Sequence, residues 1–260
     1  MTARSPWPQA PQYWLRSTDS TMNDARALLR QGTAHGTLVV ADYQSAGHGN
    51  AGRRWVSSRG RNLLFNLVVA EAEVATPSLL PLWCGEAVAA AIDQTAASAH
   101  RVGIRSLLKW PNDILMEGGK VAGVLCERQG AWYSIGVGVT CNQRFGLPGG
   151  PFPATSLGSL LRTRIDRLLL LERILSHFDA ALVAASRSGA GADVVARSID
   201  KRLYGRGCRM QIANAPANLP TAGTLVGLAA DGALIVRDDA GRSHHYYSGR
   251  LLPALDRKLA

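Results

Sequence analysis

The segment KWPND at residues 109–113, followed by KVAGVLC at 120–126, constrains the fold of this chain more than any other feature. Pro111 fixes its own φ angle and biases the preceding tryptophan towards extended geometry, so a strand that ends near residue 109 must turn sharply. The apolar run 114–116 and the turn EGG at 117–119 then predict a β-hairpin. Two lysines, an amide and a carboxylate are thereby gathered, which suits an anionic ligand and its metal ion. An exposed charged hairpin is the alternative interpretation.

A glycine-rich basic loop precedes this hairpin, between residues 43 and 61. Gly47, Gly49 and Gly52 allow the backbone to curl, so that successive N–H groups can point inwards and cradle an anion. Positive charge in the loop comes from Arg53, Arg54, Arg59 and Arg61. The loop matches neither the Walker nor the dinucleotide-binding pattern, because no helix obviously starts at its last glycine and no Lys-Ser or Lys-Thr pair follows. A flexible surface loop is the alternative here.

The remaining apolar patterns predict an α+β layout. Helices are expected over 21–29, 78–99, 166–186 and 193–203, and strands over 37–43, 62–70, 107–108, 114–116, 121–127 and 132–140. After residue 205 the pattern changes to short alternating strands, with Asp231-Gly232 as the turn of a hairpin. We therefore expect one large domain followed by a small β domain.

Composition narrows the class of protein. The 260 residues are 47% hydrophobic and 18% charged, which is ample for a sizeable core. Neither a secretory signal pattern nor an apolar run long enough to cross a membrane is present, so we expect a cytoplasmic protein. The four cysteines are dispersed without a CxxC pair, which favours buried thiols over a metal site or disulfides. The net charge of +10 leaves a basic nucleic-acid-binding module as a distant alternative, although the arginines form no dense tract.

Five motifs occur in a fixed order along the chain. They are Asp19-Ser20-Thr21, the glycine-rich basic loop, KWPND, KVAG at 120–123 and Gly136-Val137-Gly138. In this order the chain resembles the biotin protein ligases (biotin–[acetyl-CoA-carboxylase] ligases) of the biotin/lipoate protein ligase superfamily, from about residue 13 onwards. The resemblance implies a class II synthetase-like mixed sheet with helices packed on it, and a small C-terminal SH3-like β-barrel. The expected domains are a catalytic domain over 1–204 and an SH3-like domain over 205–260.

The resemblance also implies an activity and its partners. Enzymes of this family use ATP, with Mg²⁺, to activate biotin as biotinyl-5′-AMP, and then pass the biotinyl group to a lysine of the biotin carboxyl carrier protein of acetyl-CoA carboxylase or a related carboxylase. Because the similarity begins close to Met1, we expect the form without an N-terminal DNA-binding domain. We expect neither specific DNA binding nor membrane association. We expect the protein to be a monomer or a homodimer. The excess positive charge would then steer ATP and the acidic carrier domain.

The matching motif positions imply roles for individual residues. The expected catalytic residues are Lys120, between the biotin carboxylate and the α-phosphate, Arg53, on the phosphates, and Asp113, as acceptor of a proton from the incoming lysine. The expected biotin-binding residues are Ser20, Thr21, Gln44, Gly47, His48, Lys120, Gly123 and Gly138. The expected nucleotide-binding residues are Asn50, Arg53, Trp55, Lys109, Asn112, Asp113 and Asn142. No residue is assigned as a direct metal ligand, and Mg²⁺ is expected with ATP near Asp113.

Within these roles, the polar side chains of Ser20, Thr21 and Gln44 match positions that hydrogen-bond the ureido end of biotin. Gly123 and Gly138 are expected to leave space for the bicyclic ring and its tail. A lipoate or octanoate ligase of the same superfamily is the nearest alternative. Lipoate offers no ureido group, so it would leave the polar cluster unpaired if the cluster were buried.

Three positions depart from the usual family pattern. His48 and Asn50 stand where arginines are usual, so fewer fixed cations are expected to hold the adenylate. Thr140 stands at the strand end where asparagine is usual, although Asn142 follows two residues later.

Overall fold

A mixed seven-stranded sheet forms the centre of the molecule in the computed structural model, which describes residues 2–101, 103–144, 152–187 and 197–254. Its strands are β1 (Gln12–Leu15), β2 (Leu38–Ala41), β3 (Leu63–Ala70), β4 (Ser106–Lys109), β5 (Asp113–Met116), β6 (Gly119–Gln129) and β7 (Trp132–Val139). They lie in the order β1-β2-β3-β7-β6-β5-β4. The β1–β2 pair is parallel and the other pairs are antiparallel.

Helices cover both faces of this sheet. They are α1 (Thr21–Arg30), α2 (Leu80–Ser98), α3 (Leu157–Leu161) and α4 (Arg167–Arg187), and residues 197–201 are also helical. On one face α1 contacts β2, β3 and β7, and on the other α2 contacts β4, β5, β6 and α4. Because α2 lies between the sheet and α4, most of its residues are buried. None of the described helices is both long and apolar enough to cross a membrane.

The start of α1 is fixed by its sequence. The hydroxyl of Ser20 accepts a hydrogen bond from the Met22 N–H at 3.3 Å, which satisfies one of the free donors of the first turn. Ser20 and Thr21 are 1% and 3% exposed, so the cap that starts the helix is also buried at one end of the sheet.

A second, five-stranded antiparallel sheet follows. Its strands are β8 (Arg209–Ala213), β9 (Ala222–Leu228), β10 (Leu234–Arg237), β11 (Ser243–Tyr246) and β12 (Arg250–Pro253), in the order β11-β10-β9-β8-β12. Gly232, with φ +87°, lies against Leu79 and Leu82 at the start of α2. The indole Nε1 of Trp110 donates a hydrogen bond to the Gly232 carbonyl at 3.3 Å. The second sheet is therefore attached next to the KWPND corner.

The expected α+β class is confirmed, with a mixed sheet and a second antiparallel sheet. Three of these strands and helices were not predicted: the edge strand β1, the short helix α3 and the last strand β12. The predicted helix over 193–203 lies partly outside the described residues, since only its part from residue 197 is described.

Candidate active site

The KWPND corner places three charged groups together. Lys109 ends β4 and Asp113 starts β5, so the two residues are opposite partners in the sheet. The Lys109 ammonium lies 3.1 Å from Oδ2 of Asp113, and the Lys120 ammonium contacts its Oδ1. The side chains of Lys109 and Asp113 are 3% and 7% exposed, whereas that of Lys120 is 26% exposed. The hairpin thus holds one carboxylate between two ammonium groups, of which only Lys120 is open to a ligand.

Burial and charge act in opposite directions on these groups. Burial alone would raise the pKa of Asp113, but the charges of Lys120 and Lys109 outweigh it and hold that pKa below its ordinary value. Burial lowers the pKa of Lys109, although the Asp113 carboxylate partly opposes this effect. Asp113 is therefore ionised in the folded protein.

A cavity of about 470 Å³ opens beside this cluster, on the face of the first sheet that carries α1. Its walls include most of the residues that the motifs single out: Ser20, Thr21, Gln44, His48, Asn50, Arg53, Trp55, Lys109, Asn112, Asp113, Lys120, Gly123 and Gly138. Lys120 and Arg53, which are 67 residues apart in the sequence, line the same space. The fold thus brings together the cationic hairpin, the glycine-rich loop and the polar cap of α1.

The polar end of the cavity is formed by Ser20, Thr21 and Gln44. Oε1 of Gln44 accepts hydrogen bonds from the backbone N–H and the hydroxyl of Thr21, at 2.8 and 2.9 Å. Gly47 does not line the cavity, but a Cβ there would lie 2.8 Å from Nε2 of Gln44. Glycine at this position lets the Gln44 amide keep its place, so Gly47 supports the site from outside.

The glycine-rich loop forms a compact turn at the cavity edge. Gly49 donates its N–H to the Arg53 carbonyl at 2.7 Å, and Trp55 donates its N–H to the Gly47 carbonyl at 2.8 Å. Nε of Arg53 donates a hydrogen bond to the Asn50 carbonyl oxygen at 3.2 Å. These N–H groups are therefore engaged inside the loop, and Arg53 and Arg54 bring positive charge to the cavity edge.

The space over the two glycines of the sheet is filled by an indole ring. Gly123 and Gly138 are opposite partners on β6 and β7. A Cβ on Gly138 would lie 2.5 Å from Cζ2 of Trp55, and one on Gly123 would lie 3.3 Å from its Cζ3. A side chain at 138 would collide with the ring and one at 123 would contact it tightly, so both glycines allow Trp55 to pack here, and the space that they are expected to leave for biotin stays a prediction.

Asn142 is not part of this cavity. Its side-chain amide exchanges two hydrogen bonds with the Ile165 backbone, at 2.8 and 3.0 Å, and it lines a second cavity. Asn112 does line the first cavity, and its Nδ2 donates to the Val124 carbonyl at 2.7 Å. The structure therefore gives Asn142 a structural role next to β7 and separates it from the other predicted nucleotide-binding residues.

Arg250 and Phe152 are among the residues of the cavity wall that the sequence did not assign to the site. Arg250 comes from β12 of the second sheet, and among the described residues nothing accepts a hydrogen bond from its buried Nε. The ring of Phe152 lies 5.2 Å from the Lys109 ammonium. No local pattern in the sequence links either residue to the hairpin, because both contacts arise only from the tertiary fold.

Direct Mg²⁺ binding at Asp113 does not fit this arrangement. Both carboxylate oxygens contact lysine ammonium groups, which already compensate the negative charge. Within the described ranges, no group of three or more His, Cys, Asp or Glu side chains is placed to hold a metal ion. Direct coordination of Mg²⁺ by Asp113 is therefore not supported, whereas the expectation that Mg²⁺ enters with ATP near this residue stays a prediction.

Comparison with known proteins identifies the family. The sequence model of the biotin/lipoate A/B protein ligase family matches residues 14–142, which include the polar cap, the glycine-rich loop and the hairpin. The biotin–[acetyl-CoA-carboxylase] ligase of Mycobacterium tuberculosis is 31% identical over 231 residues, which cover 86% of this chain and 79% of that protein. The chain belongs to this family. The family resemblance seen in the motifs is thereby confirmed.

Other family members agree with this assignment. The bifunctional ligase/repressor BirA of Bacillus subtilis is 30% identical over 213 residues, and the chain spans about 62% of its length. The biotin protein ligase of Aquifex aeolicus in complex with biotin and ATP superposes with a TM-score of 0.78 at 27% identity, covering 93% of this chain and 97% of that one. The similarity to a solved structure thus extends over both sheets.

Proposed function

We propose that this protein is an ATP-dependent biotin protein ligase, which forms biotinyl-5′-AMP and transfers the biotinyl group to a lysine of a biotin carboxyl carrier domain. One observation carries the proposal: Lys120 and Arg53 line the same cavity as the polar cluster of Ser20, Thr21 and Gln44. A ligand with a polar ring at one end and a mixed carboxylic–phosphoric anhydride at the other would satisfy both ends. Family relatives named for this activity support it.

In the first step, a biotin carboxylate oxygen attacks the α-phosphorus of ATP, and the bond to the pyrophosphate oxygen breaks. Pyrophosphate leaves with the electron pair. Both reactants are anions, so the site has to compensate charge before they can meet. At about 4 Å and an effective dielectric constant of about 20, a single ammonium group contributes roughly 4 kcal/mol of attraction. We assign Lys120 to the reacting oxygens and Arg53 to the phosphates, because both line the cavity.

Asp113 is proposed to position Lys120. A carboxylate whose pKa is held low by two ammonium partners is a poor proton acceptor, so we assign it this role in place of the proton transfer that the motif suggests. It fixes the Lys120 ammonium at the cavity wall by direct contact with Oδ1. Lys109, almost fully buried, completes the charge balance from the other side.

The polar end favours biotin over lipoate. Ser20 and Thr21 are buried, and Thr21 already bonds to Oε1 of Gln44, but the Ser20 O–H and Nε2 of Gln44 have no acceptor among the described residues and need polar partners once a ligand excludes water. A ureido ring supplies both N–H donors and a carbonyl acceptor. A dithiolane ring supplies neither, so binding of lipoate would leave these groups without partners.

We extend the proposal to the domains. Residues 1–204 would be the catalytic domain, with a class II synthetase-like sheet, and residues 205–260 an SH3-like domain. Support comes from the change from the mixed sheet to the separate antiparallel sheet and from the position of Arg250, which carries charge from the second sheet into the cavity. Arg250 would bind the leaving phosphates.

The partners follow from the same reaction. The acceptor would be the carrier protein of acetyl-CoA carboxylase or a related biotin-dependent carboxylase, and ATP would be used with Mg²⁺. A cytoplasmic location, a monomeric or homodimeric state and the absence of specific DNA binding belong to the same proposal. The basic surface, with a net charge of +10, would attract the acidic carrier rather than nucleic acid.

Mass spectrometry tests the proposal directly. A purified carrier domain incubated with the protein, biotin and Mg-ATP should gain one biotinyl group, and should gain none when lipoate replaces biotin. The Lys120→Met variant should lose most of the labelling, whereas Lys201→Met, which changes an exposed lysine, should not. An unmodified carrier in the presence of the wild-type protein, with a known ligase active in parallel, would refute the activity. Labelling by lipoate would favour the alternative ligase.

A further inference from the structure

A second cavity, of about 610 Å³, lies under the ends of β1, β2 and β3. Leu168 and Leu171 of α4 line it, so it is on the sheet face opposite the first cavity. Its volume is in the range of small-molecule sites, which are mostly apolar with a few polar groups. The proposed ligase reaction uses none of its charged residues.

The floor of this cavity is apolar. Val40 and Leu63 come from the sheet, and Ile165 precedes the helix that closes the far side. Trp14 forms another wall, and among the described residues no acceptor meets its buried indole Nε1–H. The cavity therefore combines an aliphatic floor with an N–H donor that the protein does not use.

The rim of this cavity carries an excess of positive charge. Arg16, Arg61 and Arg164 are exposed, and none of them forms an ion pair with a carboxylate in the part of the chain that the structure describes. A fourth arginine, Arg167, lies 3.0 Å from Asp42. A guanidinium group presents parallel N–H donors that match a carboxylate or a phosphate.

The two carboxylates of the cavity are already engaged. Asp42 is paired with Arg167, as described above. Oδ1 of Asp166 accepts the N–H groups of Leu168 and Leu169 at 2.9 and 3.1 Å, which caps the first turn of α4. Asp166 keeps its negative charge, because the N–H groups that it caps are neutral, but four arginines face two carboxylates in this lining, so a ligand anion would meet an excess of positive charge.

We infer that this cavity binds an amphipathic anion, a small carboxylate or phosphate monoester whose apolar chain enters between Trp14 and α4. The head group would lie at the rim with Arg16, Arg61 and Arg164. A simple inorganic anion would leave the apolar floor in contact with water, and a neutral apolar molecule would leave the arginines without partners. Only a ligand with both parts satisfies both surfaces.

The tryptophan indoles allow a test that separates the two cavities. The chain has six tryptophans, with Trp14 in the second cavity and Trp55 in the first. Their indole N–H signals can be assigned in ¹H–¹⁵N NMR spectra through the Trp14→Phe and Trp55→Phe variants. Titration of the full chain with hexanoate, hexyl phosphate, hexanol and inorganic phosphate then reports which site each compound enters. Saturable shifts of the Trp14 signal by hexanoate or hexyl phosphate would support the inference and show which head group is preferred.

Two charge variants make the test specific. Arg16→Gln/Arg164→Gln should weaken binding of the preferred six-carbon anion about tenfold, since it removes two direct contacts with the head group. Arg105→Gln/Arg237→Gln, which removes the same net charge at exposed positions outside the cavity, should leave binding within about twofold of wild type. Equal weakening in both variants, an equal response to hexanol, or shifts of Trp55 alone would overturn the inference.

Discussion

Replacement of Asp113 by asparagine is the sharpest test of the charge cluster. The change removes the carboxylate but keeps its shape, and leaves Lys109, with a side chain only 3% exposed, without a counter-charge. Removal of one partner of a buried ion pair costs about 3–5 kcal/mol. Because Lys120 can turn its 26% exposed side chain towards water, we expect a loss near the lower end, about 3 kcal/mol. For a chain of this size that corresponds to a decrease in Tm of about 9 °C.

The assay is chemical denaturation of a matched set of variants. The double variant Lys109→Met/Asp113→Asn removes the stranded ammonium group and should regain about half of the lost stability. Asp239→Asn is the control, because its carboxylate is 77% exposed and its solvent-screened ion pair with Arg209 should contribute little, so this variant should unfold close to wild type. A loss below about 1 kcal/mol for Asp113→Asn, or no recovery in the double variant, would refute the reasoning.

The stability lost in the Asp113→Asn variant should depend on pH in a definite direction. The pKa of Asp113 in the folded protein lies below the ordinary value of 3.8, so its ionised form stabilises the fold at every pH above that value. The stability difference between wild type and Asp113→Asn should therefore be constant from neutral pH to about pH 5. It should diminish only as the pH falls through the ordinary value towards the lowered one. A difference that grows in acid would contradict this assignment.

Three further predictions concern the cavity wall. Arg250→Ala should raise the KM for ATP about tenfold with little change in the KM for biotin, as measured by pyrophosphate release, whereas Arg237→Ala, on the neighbouring surface, should change neither. Gly138→Ala should displace the Trp55 indole, because the new Cβ would lie 2.5 Å from Cζ2. We expect a change in tryptophan fluorescence and a loss of about 1–3 kcal/mol in the free energy of unfolding. An unchanged fluorescence spectrum would argue against the contact. Asn50→Arg should slow dissociation of biotinyl-5′-AMP about fivefold in a stopped-flow chase, since it adds a cation at the cavity edge, and an unchanged rate would show that the adenylate does not reach the loop.

Local sequence signals predicted the hairpin around KWPND well. Pro111, the EGG turn and the two apolar runs act within a dozen residues, and the structure places Lys109, Asp113 and Lys120 together as this pattern indicates. The helix cap at Ser20 could be predicted equally well, because a capping side chain bonds to the backbone of the helical turn that follows it. Features set by neighbours in the sequence were thus predictable.

Features that depend on contacts between distant segments could not be predicted from the sequence. The order of the strands, the pairing of β1 with β2 and the entry of Arg250 into the cavity depend on contacts between residues far apart in the chain. The same applies to Trp55: the glycines at 123 and 138 suggest space, but which group fills that space depends on how the loop folds. Asn142 lies two residues past the position where the family has asparagine, and its amide is bound to Ile165 on another segment.

A crystal structure of the protein with biotinyl-5′-AMP tests the central claim most directly. We predict one adenylate in the first cavity, with the ureido ring at Ser20 and Gln44. The Lys120 ammonium and the Arg53 guanidinium should lie within hydrogen-bonding distance of the anhydride and its phosphate. An adenylate bound elsewhere, or one that contacts only one of these two cations, would contradict the proposal that the hairpin and the glycine-rich loop serve a single reaction.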